Sequence, residues 1–297
     1  MREGLFFMGR LSKTPSIVIL THDKRLYTEV CLDSLLEGND RPFELIVVDN
    51  GSRDGTREFV ENWMTEHRDE GVQGKLIRHE TNLGCSTARN AGMSAATGDP
   101  IVFLDNDAAV RTRSWLSGLA DFLGNHADAG AVAPKLVFPA PPNLIECAGC
   151  LVSVRGRVGY RGRGEPRIAE GFNRIEKLQC VISACVAVPR AVAEEVGPFD
   201  EIFNPVQFED IDYCYRIRET GKSVYYFPEV EMYHWENTTT AGTDLNFRYL
   251  TVKNGMKFKE KWARRFVEEG KREEEEPVWR DLPIASPAEV SPLRFID

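Results

Sequence analysis

The sequence predicts an α/β protein whose sheet is largely parallel, and three observations carry that prediction. Apolar, strand-like runs at 16–20, 43–48 and 101–104 alternate with stretches of helical period. The run at 43–48 is apolar except for Glu44, the pattern of a strand covered on both faces. Each run stops at a polar or glycine-bearing turn, and strands alternating with helices imply βαβ units.

The elements follow in order. The strand at 16–20 ends at Thr21-His22-Asp23, and a helix over 26–36 aligns Leu26, Val30, Leu32, Leu35 and Leu36. The strand at 43–48 runs into a dense turn at 49–56 with Gly51 and Gly55. A helix at 57–64, a short strand at 75–78 and a helix at 87–96 precede the strand at 101–104. Beyond residue 110 the pattern changes, to a helix at 115–123, a strand at 131–138, a Pro-rich stretch and a strand-like segment at 145–154. Residues 155–164 read as a flexible loop with Arg155, Arg157, Arg161 and Arg163, and Arg167 follows soon after. That cluster is either a solvated hairpin or a mobile clamp for an anionic ligand. A strand at 180–188, helices at 190–196 and 208–219, a strand at 223–233 and a helix at 245–267 complete the pattern. The last helix is basic at several positions and spaces Phe258, Trp262 and Phe266 four apart. From Glu268 an acidic run with prolines predicts a partly disordered tail.

Composition narrows the function classes. A chain of 297 residues with 42% hydrophobic and 28% charged residues is an ordinary globular protein. Its net charge of −9 argues against nucleic-acid binding, which needs a basic footprint. The apolar runs are far shorter than a membrane span, and the apolar residues 5–8 are too few for a signal-peptide core. Seven scattered cysteines read as free thiols in a reducing compartment, so a cytoplasmic location is expected. Cys147-Ala148-Gly149-Cys150 is a lone CxxC without the second pair zinc requires.

The chemistry concentrates at strand ends. Val102-Phe103-Leu104-Asp105-Asn106-Asp107 closes an apolar strand with two carboxylates at i and i+2. Carboxylates suit Mg²⁺ or Mn²⁺ held together with substrate phosphates, and Asp and Asn are equally at home in a plain strand-to-turn junction. Thr21 and the Asp49-Asn50-Gly51-Ser52 turn offer groups that can read a nucleoside, although neither GxGxxG nor a P-loop is present. Arg89 lies one helical face from the same edge, as a ligand contact or a surface partner. Glu209, Asp210 and Asp212 open a helix, where acidic residues complement the dipole, and where a carboxylate can also act as a general base. His234, beside Trp235 at a strand end, is a structural histidine or an imidazole ligand to a manganese-like ion.

Taken together, these motifs give the chain a resemblance to the inverting GT-A glycosyltransferases of family 2, particularly their rhamnosyltransferase-like branch. The resemblance spans residue 16 to about residue 266 and rests on seven blocks in order. They are 16–24, 43–56, Asn82-Leu83-Gly84 with 88–92, 103–107, 197–201, 208–213 and Tyr233-His234. It implies a GT-A domain at 12–267, with a nucleotide-binding half at 12–110 and an acceptor half at 111–267, and a tail at 268–297. It implies a nucleotide-sugar donor contacted by Thr21, Asp49, Asn50, Arg89, Asp105 and Asn106, with Asp107, His234 and Asp105 holding Mn²⁺ or Mg²⁺. Asp210 would be the base that activates a hydroxyl of a glycan, lipid-linked or other acceptor. Asn50 replaces a frequent aspartate, and His22-Asp23 a common Tyr-Asn, which leaves UDP- and dTDP-sugars both open. Peripheral membrane contact through the basic helix, and a homodimer, are further expectations. The alternatives are a non-catalytic nucleotide-sugar-binding protein on the same fold, and a nucleotidyltransferase, whose Gly-rich basic loop after the first strand is missing.

Overall fold

The computed structural model describes residues 14–236, 238, 246–269, 282 and 284–297. The expectations for residues 5–8, and for the acidic run at 270–281, lie outside them. The N-terminal half consists of β1 (Ser16–Thr21), α1 (Arg25–Glu37), β2 (Phe43–Asn50), α2 (Thr56–Glu66), β3 (Val72–His79), α3 (Cys85–Ala95) and β4 (Ile101–Asp105). Next come β5 (Ala108–Val110), α4 (Trp115–Asn125), β6 (Ala129–Val137), β7 (Ile145–Cys147), β8 (Cys150–Val152) and β9 (Val158–Tyr160). The chain continues through β10 (Glu176–Leu178), β11 (Cys185–Val188), α5 (Arg190–Val196), α6 (Glu209–Glu219), β12 (Ser223–His234), α7 (Phe247–Glu268) and α8 (Pro287–Val290).

One 10-stranded sheet runs in the order β10-β12-β6-β11-β4-β1-β2-β3, with β5 added to β12 and β7 to β6. The block β4-β1-β2-β3 is parallel throughout, β11 runs antiparallel to both its neighbours, and β6 and β12 are parallel again. After β1 the chain winds outward through β2 and β3 and returns to β4 on the other side of β1. That reversal opens a crevice at the carboxyl ends of β1 and β4, where open α/β sheets take their ligands. Gly92 lets α3 lie close on this block, because a Cβ there would meet Val18 Cγ1 at 2.3 Å.

Several expectations are corrected beyond the parallel block. The segment at 145–154 is two short strands, because Gly149 takes a φ of 81° and turns the chain from β7 to β8. Of the stretch at 180–188 only Cys185–Val188 is a strand. The arginine-rich segment is the β8–β9 hairpin and its exit, and it is tethered: Arg161 pairs with Glu176, Arg163 with Glu236 and Arg167 with Glu231. The described part of the tail is ordered as well. Ser286 and Glu289 form a capping box on α8, and Val290 and Leu293 pack on Ala109, Val137, Tyr233 and Trp235. The backbone of Ile296 hydrogen-bonds Arg111 and Arg113.

The cysteines are all free, and all but Cys85 are buried. The Cys147 and Cys150 sulfurs lie 3.9 Å apart within the core, which gives the CxxC a packing role.

Candidate active site

The crevice deepens into a cavity of about 420 Å³. Its wall includes Asn50, Arg89, Asp105, Asn106, Asp107, Asp210 and His234, drawn from β2, α3, β4, α6 and β12 and the turns beside them. The sheet explains why such distant residues meet. β5 leaves β4 after a two-residue turn and pairs antiparallel with the end of β12, with His234 opposite Ala108. A backbone bond from Trp235 N to Asp107 O, 2.9 Å long, fixes the two ends together.

Asp105, Asp107 and His234 offer ligand atoms that all lie within 4.8 Å of one another. His234 Nε2 is 3.4 Å from Asp107 Oδ1, and its other nitrogen, Nδ1, is 3.3 Å from the fully buried Glu146. A carboxylate on one imidazole nitrogen fixes the ring and frees the other for a cation. Two carboxylates and an imidazole therefore fit a divalent ion of the Mg²⁺ or Mn²⁺ kind. Burial opposes charge on His234, but Glu146 and Asp107 outweigh it and hold the imidazole well above its usual pKa. Burial likewise works against the Asp107 carboxylate, yet hydrogen bonds from His234 and Thr238 keep it below the ordinary range. Behind Glu146, Arg163 lies 3.8 Å from its carboxylate and 2.6 Å from that of Glu236.

Arg89 joins the two acidic groups of the cavity. Its guanidinium donates to Asp105 at 2.8 Å and to Glu209 at 2.6 Å, and the side chain is buried. Glu209 is thus paired with Arg89 through one oxygen, and both it and neighbouring Asp210 border the cavity. Asp210 accepts from Ser183 N at 3.0 Å and Ile211 N at 2.8 Å, and burial raises its pKa despite the nearby Arg89. Gln207 and Phe208, just before this pair, have φ values of 84° and 74°, a region costly for side chains of their size. Asn254 on α7 holds them there: its buried amide nitrogen faces the carbonyls of Phe203, Val206 and Gln207 at 2.6, 2.8 and 3.3 Å. Farther along the same helices, Trp262 donates to Asp212 at 2.8 Å, and Asp212 pairs with Arg216 at 3.0 Å.

Two of the expected donor contacts have other work in this structure. Thr21 is buried and shares hydrogen bonds with Thr28 and Asn106 below the cavity wall. Asp49 is buried too, accepting from Ser52 N at 2.9 Å and from Arg57 at 2.9 Å, so it organises the turn after β2. Asn50 both borders the cavity and braces the 79–84 segment, bonding Asn82 at 2.9 Å and Leu83 N at 3.0 Å. Sequence reasoning misses Glu146, Glu236 and Asn254, and it places Arg163 in a loop without its carboxylate partners. A buried Asn-Gly step inside a long helix was the one signal that could have exposed Asn254.

Comparison with known proteins decides the family. Residues 16–197 match the model of "Glycosyl transferase family 2". The chain belongs to that family. It is 30% identical over 238 residues to an O-antigen biosynthesis protein, RfbC, of Myxococcus xanthus, covering 75% of this chain and 17% of that protein. It is 29% identical over 203 residues to the pre-mycofactocin glycosyltransferase of Mycobacterium tuberculosis, covering 67% and 38%. The chain therefore spans well under half the length of these relatives. Among solved structures it superposes on GalNAc-T7 with UDP, GalNAc and Mn²⁺ at a TM-score of 0.68, with 17% identity over 86% of this chain and 50% of that one. A mannosyltransferase of Pyrobaculum calidifontis with GDP-Man and Mn²⁺ follows at 0.61, with 20% identity over 87% and 65%. The family 2 chain thus has the GT-A fold. No helix among its described residues is long and apolar enough to cross a membrane.

Proposed function

We propose that this chain is a glycosyltransferase that moves a sugar from a UDP- or dTDP-linked donor to an acceptor hydroxyl in glycan synthesis, with inversion at the anomeric carbon. One observation carries the reading: the Asp105–Asp107–His234 cluster and the Asp210 carboxylate border the same cavity. The UDP named with one structural neighbour, and the O-antigen role named for one relative, support it. The free thiols agree with a cytoplasmic site of action.

Asp107, His234 and Asp105 would hold the cation, which supplies Lewis-acid stabilisation of charge on the departing diphosphate. Asp210 takes the proton from the acceptor hydroxyl as that oxygen attacks. Its raised pKa makes it a stronger base than an exposed aspartate, and it is ionised only above that value. Arg89 holds Asp105 in place and neutralises Glu209 through a buried ion pair, whereas Asp210 makes no ion pair among the described residues. Asn50 and Asn106 would meet the nucleoside side of the donor.

The test is Asp210→Asn. Transfer falls by roughly 10²–10⁴-fold, the usual share of a general base, while nucleotide binding is kept. In the parent enzyme turnover falls as pH drops through the raised Asp210 pKa, and NMR of the product shows the opposite anomeric configuration to the donor. Near-parental turnover in the variant removes Asp210 from the mechanism.

A further inference from the structure

We infer that the outer face of α7 is a docking surface for an anionic phospholipid leaflet. The inner face of the helix is accounted for, since Leu250, Asn254, Phe258, Trp262 and Phe266 are buried against the domain. The outer face exposes large apolar side chains: Tyr249 is 59% exposed, Val252 58%, Met256 66% and Val267 77%. With about 100° of turn per residue, these four and exposed Ala263 share a band about 60° wide along the helix. Exposed bases flank the band on both sides, Arg248 and Lys259 on one and Lys253 and Arg264 on the other. None of the four pairs with a carboxylate among the described residues, whereas Lys261 and Arg265 of the same helix do. Glu260 is the one carboxylate within that arc among the described residues.

This distribution runs against the molecule as a whole, whose net charge is −9. An exposed apolar stripe bordered by lysine and arginine is what an interfacial helix presents to lipid: side chains for the acyl boundary and cations for the headgroups. The surface is the convex outside of a single helix, which a flat leaflet accepts without the matching groove that a folded partner would have to provide. Placement along the chain adds a consequence. Phe247 and Thr251, on the inward side of the first turns of α7, border the catalytic cavity, so one helix supplies both a part of the cavity wall and the docked face. Arg248 lies between the two. The docking stands on the helix alone; its use, delivery of an acceptor carried on a lipid, rests on the function proposed above.

The experiment is co-sedimentation of the full chain with vesicles of phosphatidylcholine alone, or with about a third phosphatidylglycerol, at low and physiological salt. The protein partitions onto the anionic vesicles only, and salt weakens the binding. The double variant Val252→Asp/Met256→Asp loses at least about tenfold in partitioning, and each base changed to Gln loses roughly fivefold. Both positions are exposed, so the variant keeps its thermal transition and its Mn²⁺-dependent nucleotide binding. That binding also separates failure of docking from failure of the glycosyltransferase reading. No binding to anionic vesicles at low salt, or binding that the double variant leaves unchanged, overturns the inference. So does a dimer in sedimentation velocity that the double variant splits while vesicles capture nothing, since the face would then join two copies of this chain.

Discussion

The two walls of the cavity are built by different means. The wall at the ends of β1, β2 and β4 is local: Asn50, Asp105 and Asn106 lie at or just past parallel strands, and short-range turns such as that of Asp49 and Ser52 shape it. The opposite wall is held by side chains from far along the chain. Asp210 depends on a loop pinned by Asn254, His234 on Glu146, and Glu146 on Arg163. The first wall is set once the sheet forms, while the second needs several buried polar contacts to hold together. Substitutions should therefore separate stability from geometry differently on each side.

The largest effect is expected where the walls meet. Arg89→Ala leaves Glu209 buried without its cation, and breaking such a pair costs about 3–5 kcal/mol, read as a fall in the urea midpoint. Arg89→Ala combined with Glu209→Gln should recover much of that loss. A double variant no more stable than Arg89→Ala would show that the pair is not what joins the walls.

Asn254→Ala removes the amide that restrains the 203–207 carbonyls. The expected loss is about 1–3 kcal/mol of stability, with a larger drop in kcat than in donor affinity, because only the base side is disturbed. Equal losses in kcat and donor binding would erase the distinction between the walls. Glu146→Gln gives the smallest effect, about 10–100-fold in Mn²⁺ affinity with little change in melting temperature. An unchanged Mn²⁺ affinity would mean that His234 needs no help from Glu146.

The same contrast explains what could be read beforehand. The strands of the parallel block announce themselves by unbroken apolar runs, and Asp105 and Asp107 by their place at a strand end. The helix at 209–219 with its Glu-Asp pair was equally legible, because periodicity and acidic first-turn residues are local signals. What escaped was non-local. The arginines of the β8–β9 segment looked solvated because their carboxylate partners lie 15 to 73 residues away. Strands β5 and β10 are three residues each, too short to show a period. Thr21 and Asp49 stand at the positions the motifs indicate, but their side chains turn inward, Thr21 to Thr28 on α1 and Asp49 to Ser52 and Arg57. The docked segment after residue 283 looked like a tail because its anchors, Val290, Leu293 and Ile296, are too sparse to form a pattern.

The most direct test of the account is calorimetric titration of the full chain with UDP, dTDP and GDP, each with and without Mn²⁺. The account predicts tight binding of UDP or dTDP that requires Mn²⁺ and is lost in Asp107→Ala. Binding that is indifferent to Mn²⁺ and survives that substitution would contradict it, since Asp105, Asp107 and His234 would then not form the donor's metal centre.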